Sequence, residues 1–172
     1  MVKVKLKVGD EAPLFKLDSY NAGSIDLVEL IEKQRIVIIF SRYFGCPICQ
    51  LDLKQLMERL SEIEETGAKL LYITQSSEEI AKNFIEEENI SFPVIPSSKD
   101  KLYAEYGLGK MTLGTIKKVP GKLKAAKKAG ISHGPKEGTE SQCPGQFVIE
   151  NNGQLIHLKK GWLDIDSLLE VL

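Results

Sequence analysis

Between Phe40 and Gln50 the chain reads FSRYFGCPICQ, so that Cys46 and Cys49 stand three residues apart with Pro47 between them. A cysteine does chemistry as its thiolate, which is both a nucleophile and a metal ligand. The pair therefore admits three readings: a reactive dithiol, half of a metal site, or two thiols packed in a core. One further cysteine, Cys143, makes the number odd, which does not suit a structural disulfide framework. In a reducing compartment a close pair points to catalysis or metal. Structural zinc sites bring their ligands in two close pairs. Here the residues that could complete such a set, His133 and Cys143, are ten apart in a glycine-rich stretch, so neither a metal nor a cofactor is expected.

The elements around the pair favour the dithiol. Arg35 to Phe40, RIVIIF, is a short, unbroken, β-branched run of the kind buried on both faces at the centre of a parallel sheet. After Cys46, the residues Cys49, Leu53, Leu56, Met57, Leu60 and Ile63 recur at helical spacing until Thr66-Gly67. A strand thus feeds a helix through a tight turn, with Cys46 at the helix start. There the free backbone N–H groups and the positive end of the helix dipole favour thiolate, and Pro47 costs no hydrogen bond in the first turn. Cys46 is expected to be the exposed attacker. Cys49, on the apolar stripe one turn later, is expected to be the more buried partner, placed to attack a sulfur on Cys46.

Farther along, AKLLYIT reads as a strand, and SSEEIAKNFIEEEN as a helix capped by Ser76 with Glu79 three residues on. SFPVIP reads as a short strand and KDKLYAEYG as a helix closed by Gly107. Residues 108–142 read as an insertion with two short helical pieces broken at Pro120-Gly121. GQFVIENNGQLIHLKKG is a hairpin turning at Asn152-Gly153, and DIDSLLEVL a last helix. This order of elements predicts one α/β domain over 1–172, a thioredoxin-like fold with a central mixed sheet flanked by helices, an N-terminal extension and a lysine-rich insertion.

Composition excludes little else. Net charge is −1 with 27% charged residues, which points to neither a nucleic-acid nor a membrane partner. MVKVKLKVGDEAP lacks the apolar core of a signal peptide, and no stretch approaches a membrane span, so a cytoplasmic location is expected. Seven lysines and no acid fall between Lys110 and Lys128, interleaved with Met111, Leu113, Ile116, Val119 and Leu123. Such a segment is most often a solvated face, although it suits an anionic surface or an acidic partner. His157 and Trp162 read as structural or packing residues.

Through these residues the chain resembles the peroxiredoxin-like branch of the thioredoxin superfamily, the alkyl hydroperoxide reductase and thiol-specific antioxidant type. VGDEAPLFKL, IVIIFSRYFGCPICQLDL and EGTESQCPGQFVIENNGQLI carry the resemblance in order along almost the whole chain. It implies a redox enzyme in which Cys46 attacks a peroxide and Cys49 forms a disulfide with it, reset by a thioredoxin-type donor. Two positions depart from the pattern: the proline and threonine that peroxiredoxins carry seven and three residues before the reactive cysteine are here Ile39 and Tyr43. Pro144 matches the cis-proline of thioredoxin-type reductases, which would set Cys143 facing the dithiol, as a third redox sulfur or a buried inert one. Arg42, four residues before Cys46, is a candidate to favour the thiolate and orient a peroxide, or else a surface ion-pairing residue. The alternatives are a protein thiol-disulfide oxidoreductase acting on a protein disulfide without a peroxide step, and a non-catalytic binding module. Both a monomer and a homo-oligomer suit the sequence.

Overall fold

A computed structural model describes residues 4–172; residues 1–3, part of the N-terminal stretch read above, lie outside it. The strand expected at the sheet centre is β3, Ile36–Phe40, every residue of which is buried. It pairs in parallel with β4 (Lys69–Thr74), and β4 with β5 (Val94–Pro96). On its other side β3 pairs antiparallel with β6 (Gly145–Ile149), and β6 with β7 (Leu155–Lys160). The order β5-β4-β3-β6-β7 is the mixed sheet of a thioredoxin-like fold.

Alternation along β3 builds the two layers. Ile36, Ile38 and Phe40 face one core, shared with Leu102, Tyr103 and Tyr106 of the α5 segment (Leu102–Glu105 and its cap). Val37 and Ile39 face a second core, shared with Leu53 and Leu56 of α2 (Pro47–Glu58), Ile63 of α3 (Leu60–Glu65), Ala81 of α4 (Glu78–Glu87) and Leu168 of α8 (Ile165–Leu169). The N-terminal extension adds a two-stranded ribbon, Lys16–Asp18 with Ser24–Asp26, and a short helix Leu27–Ile31 capped by the Asp26 carboxylate.

Several expectations need correction in detail. The long helix after Cys46 breaks at Arg59, whose backbone leaves the helical region. The cap of α4 is Ser77, not Ser76, because the Ser76 hydroxyl is taken up by the Phe44 N–H at 2.8 Å. In the insertion, Leu113–Lys117 and Val119–Lys128 form two helices, α6 and α7, that meet at Lys118. Pro120 does not break them: it sits in the first turn of α7, where a missing N–H is harmless. The insertion's ends are clasped by pairing of Lys110 with Gln142 and a Met111 N–H bond to the Ser141 carbonyl, 2.8 Å. In the hairpin, only Gly153 of the dipeptide takes a positive φ; the Gly153 N–H closes a turn on the Glu150 carbonyl, giving a longer loop than a two-residue turn.

Ile38 is wholly buried at the middle of β3, and truncating such a residue leaves a cavity that a packed sheet cannot close. Ile38→Ala should lower stability by about 2–5 kcal/mol. Urea unfolding should show the midpoint falling with an unchanged slope; a midpoint within error of the parent would contradict the central placement of β3.

Candidate active site

The turn that joins β3 to α2 is fixed from the side by the end of β4. The Arg42 carbonyl accepts from the Gln75 N–H at 2.7 Å and the Thr74 hydroxyl at 3.0 Å, and the Phe44 N–H is held by Ser76. At the end of this turn Cys46 is the N-cap of α2, with extended backbone, and Pro47 opens the helix. The Cys46 sulfur accepts from the Cys49 N–H at 3.4 Å.

The electrostatics separate the two sulfurs. A hydrogen bond from the Cys49 thiol, the Arg42 guanidinium and the Cys49 and Ile48 N–H groups outweigh the opposing effect of burial and hold the Cys46 thiol at about 6. Burial pushes Cys49 well above its ordinary value, and the bond to Cys46 and its charge push the same way. The two thiols thus differ in acidity in the order that the helix position suggests, but not in exposure: each is only 3% exposed. The expectation of an exposed Cys46 is therefore corrected.

Cys46 is packed among Tyr43, Ile48, Cys49 and Trp162, and the irregular segment 131–140 runs over the neighbouring Gly45. The Gly134 N–H donates to the Gly45 carbonyl at 2.8 Å, and a Cβ on Gly45 would lie 2.2 Å from the Pro135 oxygen, so backbone presses on backbone with no room for a side chain. Gln50 reaches the Ser132 carbonyl, Thr139 donates to the Gln75 side chain, and Glu137 accepts from the Ser77 N–H at 2.8 Å.

Arg42 is buried, not a surface residue, yet it does form an ion pair. One nitrogen binds Glu140 at 2.8 Å, and the other Glu140 oxygen accepts from the Tyr43 hydroxyl. The guanidinium carbon lies 5.4 Å from the Tyr43 ring centre and 5.7 Å from that of Trp162, within cation–π range. Its Nε is buried with no hydrogen-bond partner among the described residues, a free donor on the guanidinium whose charge acts on Cys46. Tyr43, Cys46, Ile48, Cys49 and Trp162 form one packed cluster, flanked by Met111 and Val119 of the insertion.

Behind Cys49 lies a cavity of about 20 Å³, lined among others by Asp52, Tyr72, Pro144 and Trp162. Burial pushes the Asp52 carboxyl up, against the pull of its partner Lys122 at 2.5 Å. Pro144 therefore does border the dithiol, but no peptide bond among the described residues is cis. The chain enters β6 in extended form, with the Cys143 N–H bound to the Gly109 carbonyl and the Pro144 carbonyl to the Gly161 N–H, each at 2.8 Å. Cys143 is turned accordingly: its thiol hydrogen-bonds to the Pro144 carbonyl at 3.3 Å and to Thr115, and burial raises its pKa. It stands outside the cluster around Cys46. His133 lies instead near the Tyr43 ring, with centroids 6.3 Å apart, and the described residues gather no group of three His, Cys, Asp or Glu side chains suited to a metal.

Sequence reasoning passed over Glu140, Asp52 and Lys122, and read Trp162 as packing alone. Asp52 carried a usable signal, lying three residues after Cys49 on the same helix. Glu140 carried none, being 98 residues from Arg42.

A protein-family model described as the AhpC/TSA family matches residues 8–158. Among curated proteins, thiol-disulfide oxidoreductase ResA of Bacillus thuringiensis is 26% identical over 124 residues, covering 70% of this chain and 69% of that protein. Peroxiredoxin Bcp of Escherichia coli is 24% identical over 103 residues, covering 60% of this chain and 65% of that one. Among solved structures, peroxidoxin BcpB of Mycobacterium tuberculosis superposes with a TM-score of 0.71 at 16% identity, over 97% of this chain and 96% of that one.

With its thiol at about 6, Cys46 should be about nine-tenths thiolate at pH 7. Iodoacetamide labelling of the reduced protein across pH should modify Cys46 with an inflection near 6, well before Cys49. In Arg42→Ala that inflection should move up, and Arg42→Lys should restore part of the shift. Peptide mapping that finds Cys49 labelled first would reverse the assignment.

Proposed function

The chain belongs to the AhpC/TSA family, and from that membership and the surroundings of Cys46 we propose that it is a thiol-dependent peroxidase that cycles through a Cys46–Cys49 disulfide. The observation that carries the reading is the acidified Cys46 at the amino end of α2 beside a buried guanidinium with an unused donor.

In the proposed cycle the Cys46 thiolate attacks one oxygen of a hydroperoxide. The O–O bond breaks, the sulfur keeps one oxygen as a sulfenic acid, and the other leaves as water or an alcohol after taking a proton. Arg42, positive in every state, is suited to hydrogen-bond the peroxide and the negative charge that grows on the leaving oxygen. The Cys49 sulfur then attacks the Cys46 sulfur, water departs, and a disulfide remains that an external dithiol reduces. Tyr43 stands where other peroxiredoxins have a threonine, and its hydroxyl is spent on Glu140, so substrate orientation falls to Arg42. The absence of a helix long and apolar enough to cross a membrane among the described residues suits such an enzyme, and a cytoplasmic location is part of the same proposal.

A second reading, a protein thiol-disulfide oxidoreductase, is favoured by the Cys-x-x-Cys spacing and by the similarity to ResA. Both use the same sulfurs, and kinetics separates them. Hydrogen peroxide and an alkyl hydroperoxide should be turned over with a thioredoxin-type donor, with activity lost in Cys46→Ser and strongly reduced in Arg42→Ala. Reduction of a protein disulfide at a higher kcat/KM than any hydroperoxide would overturn the peroxidase.

Cys143 is assigned no part in the cycle. When Cys49→Ser is treated with one equivalent of peroxide, mass spectrometry should find Cys46 as sulfenic or sulfinic acid and Cys143 still a free thiol. A Cys46–Cys143 disulfide within the monomer would return Cys143 to the mechanism.

A further inference from the structure

The lysine-rich insertion is bolted to the redox pair, and its outer face is exposed among the described residues. Inward, the Trp162 indole N–H donates to the Thr115 carbonyl of α6 at 3.0 Å, Lys122 of α7 pairs with Asp52 of α2, and Met111 and Val119 pack on the cluster that holds Cys46 and Cys49. Outward, Leu113 is 77% exposed, Ile116 48% and Leu123 44%, a short apolar stripe across both helices. Lys110, Lys117, Lys118, Lys124, Lys127 and Lys128 are all exposed, and none forms an ion pair among the described residues. Beside them a cleft of about 210 Å³ runs to Trp162, lined by Thr112, Thr115, Lys118, Lys159 and Lys160. With seven lysines in this one segment and a net charge of −1 overall, the rest of the chain is acidic, so the charge is concentrated where the cysteines are.

Resting on the peroxidase reading, we propose that the α6–α7 face is the docking surface for the protein dithiol that resets the enzyme, a donor whose reactive cysteine is rimmed by apolar and acidic residues. Charge complementarity selects this occupant. A basic face around an apolar stripe attracts an acidic protein and gives it a dry centre, and the helices that bear it pack by their other side on the cluster that holds the two sulfurs. The chemistry balances. A donor thiolate attacks the Cys46 sulfur, the Cys46–Cys49 bond breaks, and Cys49 leaves as thiolate and takes a proton. The donor's second thiolate attacks the mixed disulfide, Cys46 departs as thiolate, and the donor carries away the oxidised pair.

The test uses the full chain with its disulfide preformed by diamide, so that it stands whether or not peroxide is a substrate. Single-turnover reduction is followed by acid quench and alkylation, with either an acidic thioredoxin or dithiothreitol as reductant. In the charge-reversed variant Lys117→Glu/Lys118→Glu/Lys124→Glu the second-order rate with thioredoxin should fall by about tenfold or more, while the rate with dithiothreitol is unchanged. Leu113→Ser should lower the thioredoxin rate alone. As a check free of any variant, raising salt from about 20 to 200 mM should slow the parent with thioredoxin and leave dithiothreitol unaffected. Rates with thioredoxin that ignore both salt and charge reversal would overturn the proposal, as would an equal fall with both reductants. Phosphatidylglycerol vesicles that bind the parent and not the variant, with the thioredoxin rate unchanged, would overturn it in favour of an anionic surface. Failure of peroxide turnover alone would overturn the peroxidase reading and leave this one standing.

Discussion

A negative charge on a buried sulfur has to be compensated where water cannot do it, and much of the architecture around Cys46 answers that one requirement. Burial alone would keep the thiol protonated. The start of α2 supplies two backbone N–H groups, Cys49 supplies a thiol donor, and Arg42 supplies a full positive charge. Arg42 is itself buried, and an unpaired guanidinium in that position would be as costly as the thiolate it serves. Glu140 resolves this, because its carboxylate binds both Arg42 and Tyr43 while its side chain remains 56% exposed. The charges alternate from the sulfur outward and end in solvent.

That arrangement depends on backbone held to within a fraction of an ångström. The strand-to-helix turn cannot drift, because the last residues of β4 bind the Arg42 carbonyl and the Phe44 N–H from the side. Gly45 cannot carry a side chain, because the Pro135 carbonyl occupies the place of its Cβ. The segment 131–140 thus closes over Gly45 and at the same time brings Glu140 to Arg42.

The parts of this that could be read from sequence are those governed by local rules. β3 announced itself as a continuous β-branched run, α2 and α3 together by the spacing from Cys49 to Ile63, without the break at Arg59, and the placing of Cys46 at the helix start followed from the junction of β3 and α2. The insertion was visible as a loss of apolar period, though its internal break was misplaced because proline in a first helical turn looks the same in sequence as proline that ends a helix. Nothing local could show that Glu140 returns to Arg42, that Cys46, expected at the surface, is packed with Tyr43 and Trp162, or that Cys143 turns toward Thr115. Those facts depend on tertiary contacts, which hydrophobic periodicity does not encode. The Cys143–Pro144 bond is a related case: resemblance suggested cis, and the extended entry into β6 is made with trans peptide bonds.

The coupling of the two sulfurs also bears on the order of events in the proposed cycle. In the reduced protein the Cys49 thiol is held protonated by burial and by its bond to the charged Cys46, with Arg42 alone pulling the other way. Once Cys46 has taken an oxygen and become a neutral sulfenic acid, its charge no longer opposes ionisation of Cys49, and the hydrogen bond that fixed the Cys49 proton on a neighbouring thiolate is lost. The guanidinium remains. Ionisation of Cys49, still opposed by burial, is thus opposed less in the one state in which its attack would lead forward than while Cys46 is a thiolate. Two identical residues three positions apart thus differ in acidity, from helix position first and then from the charge each imposes on the other.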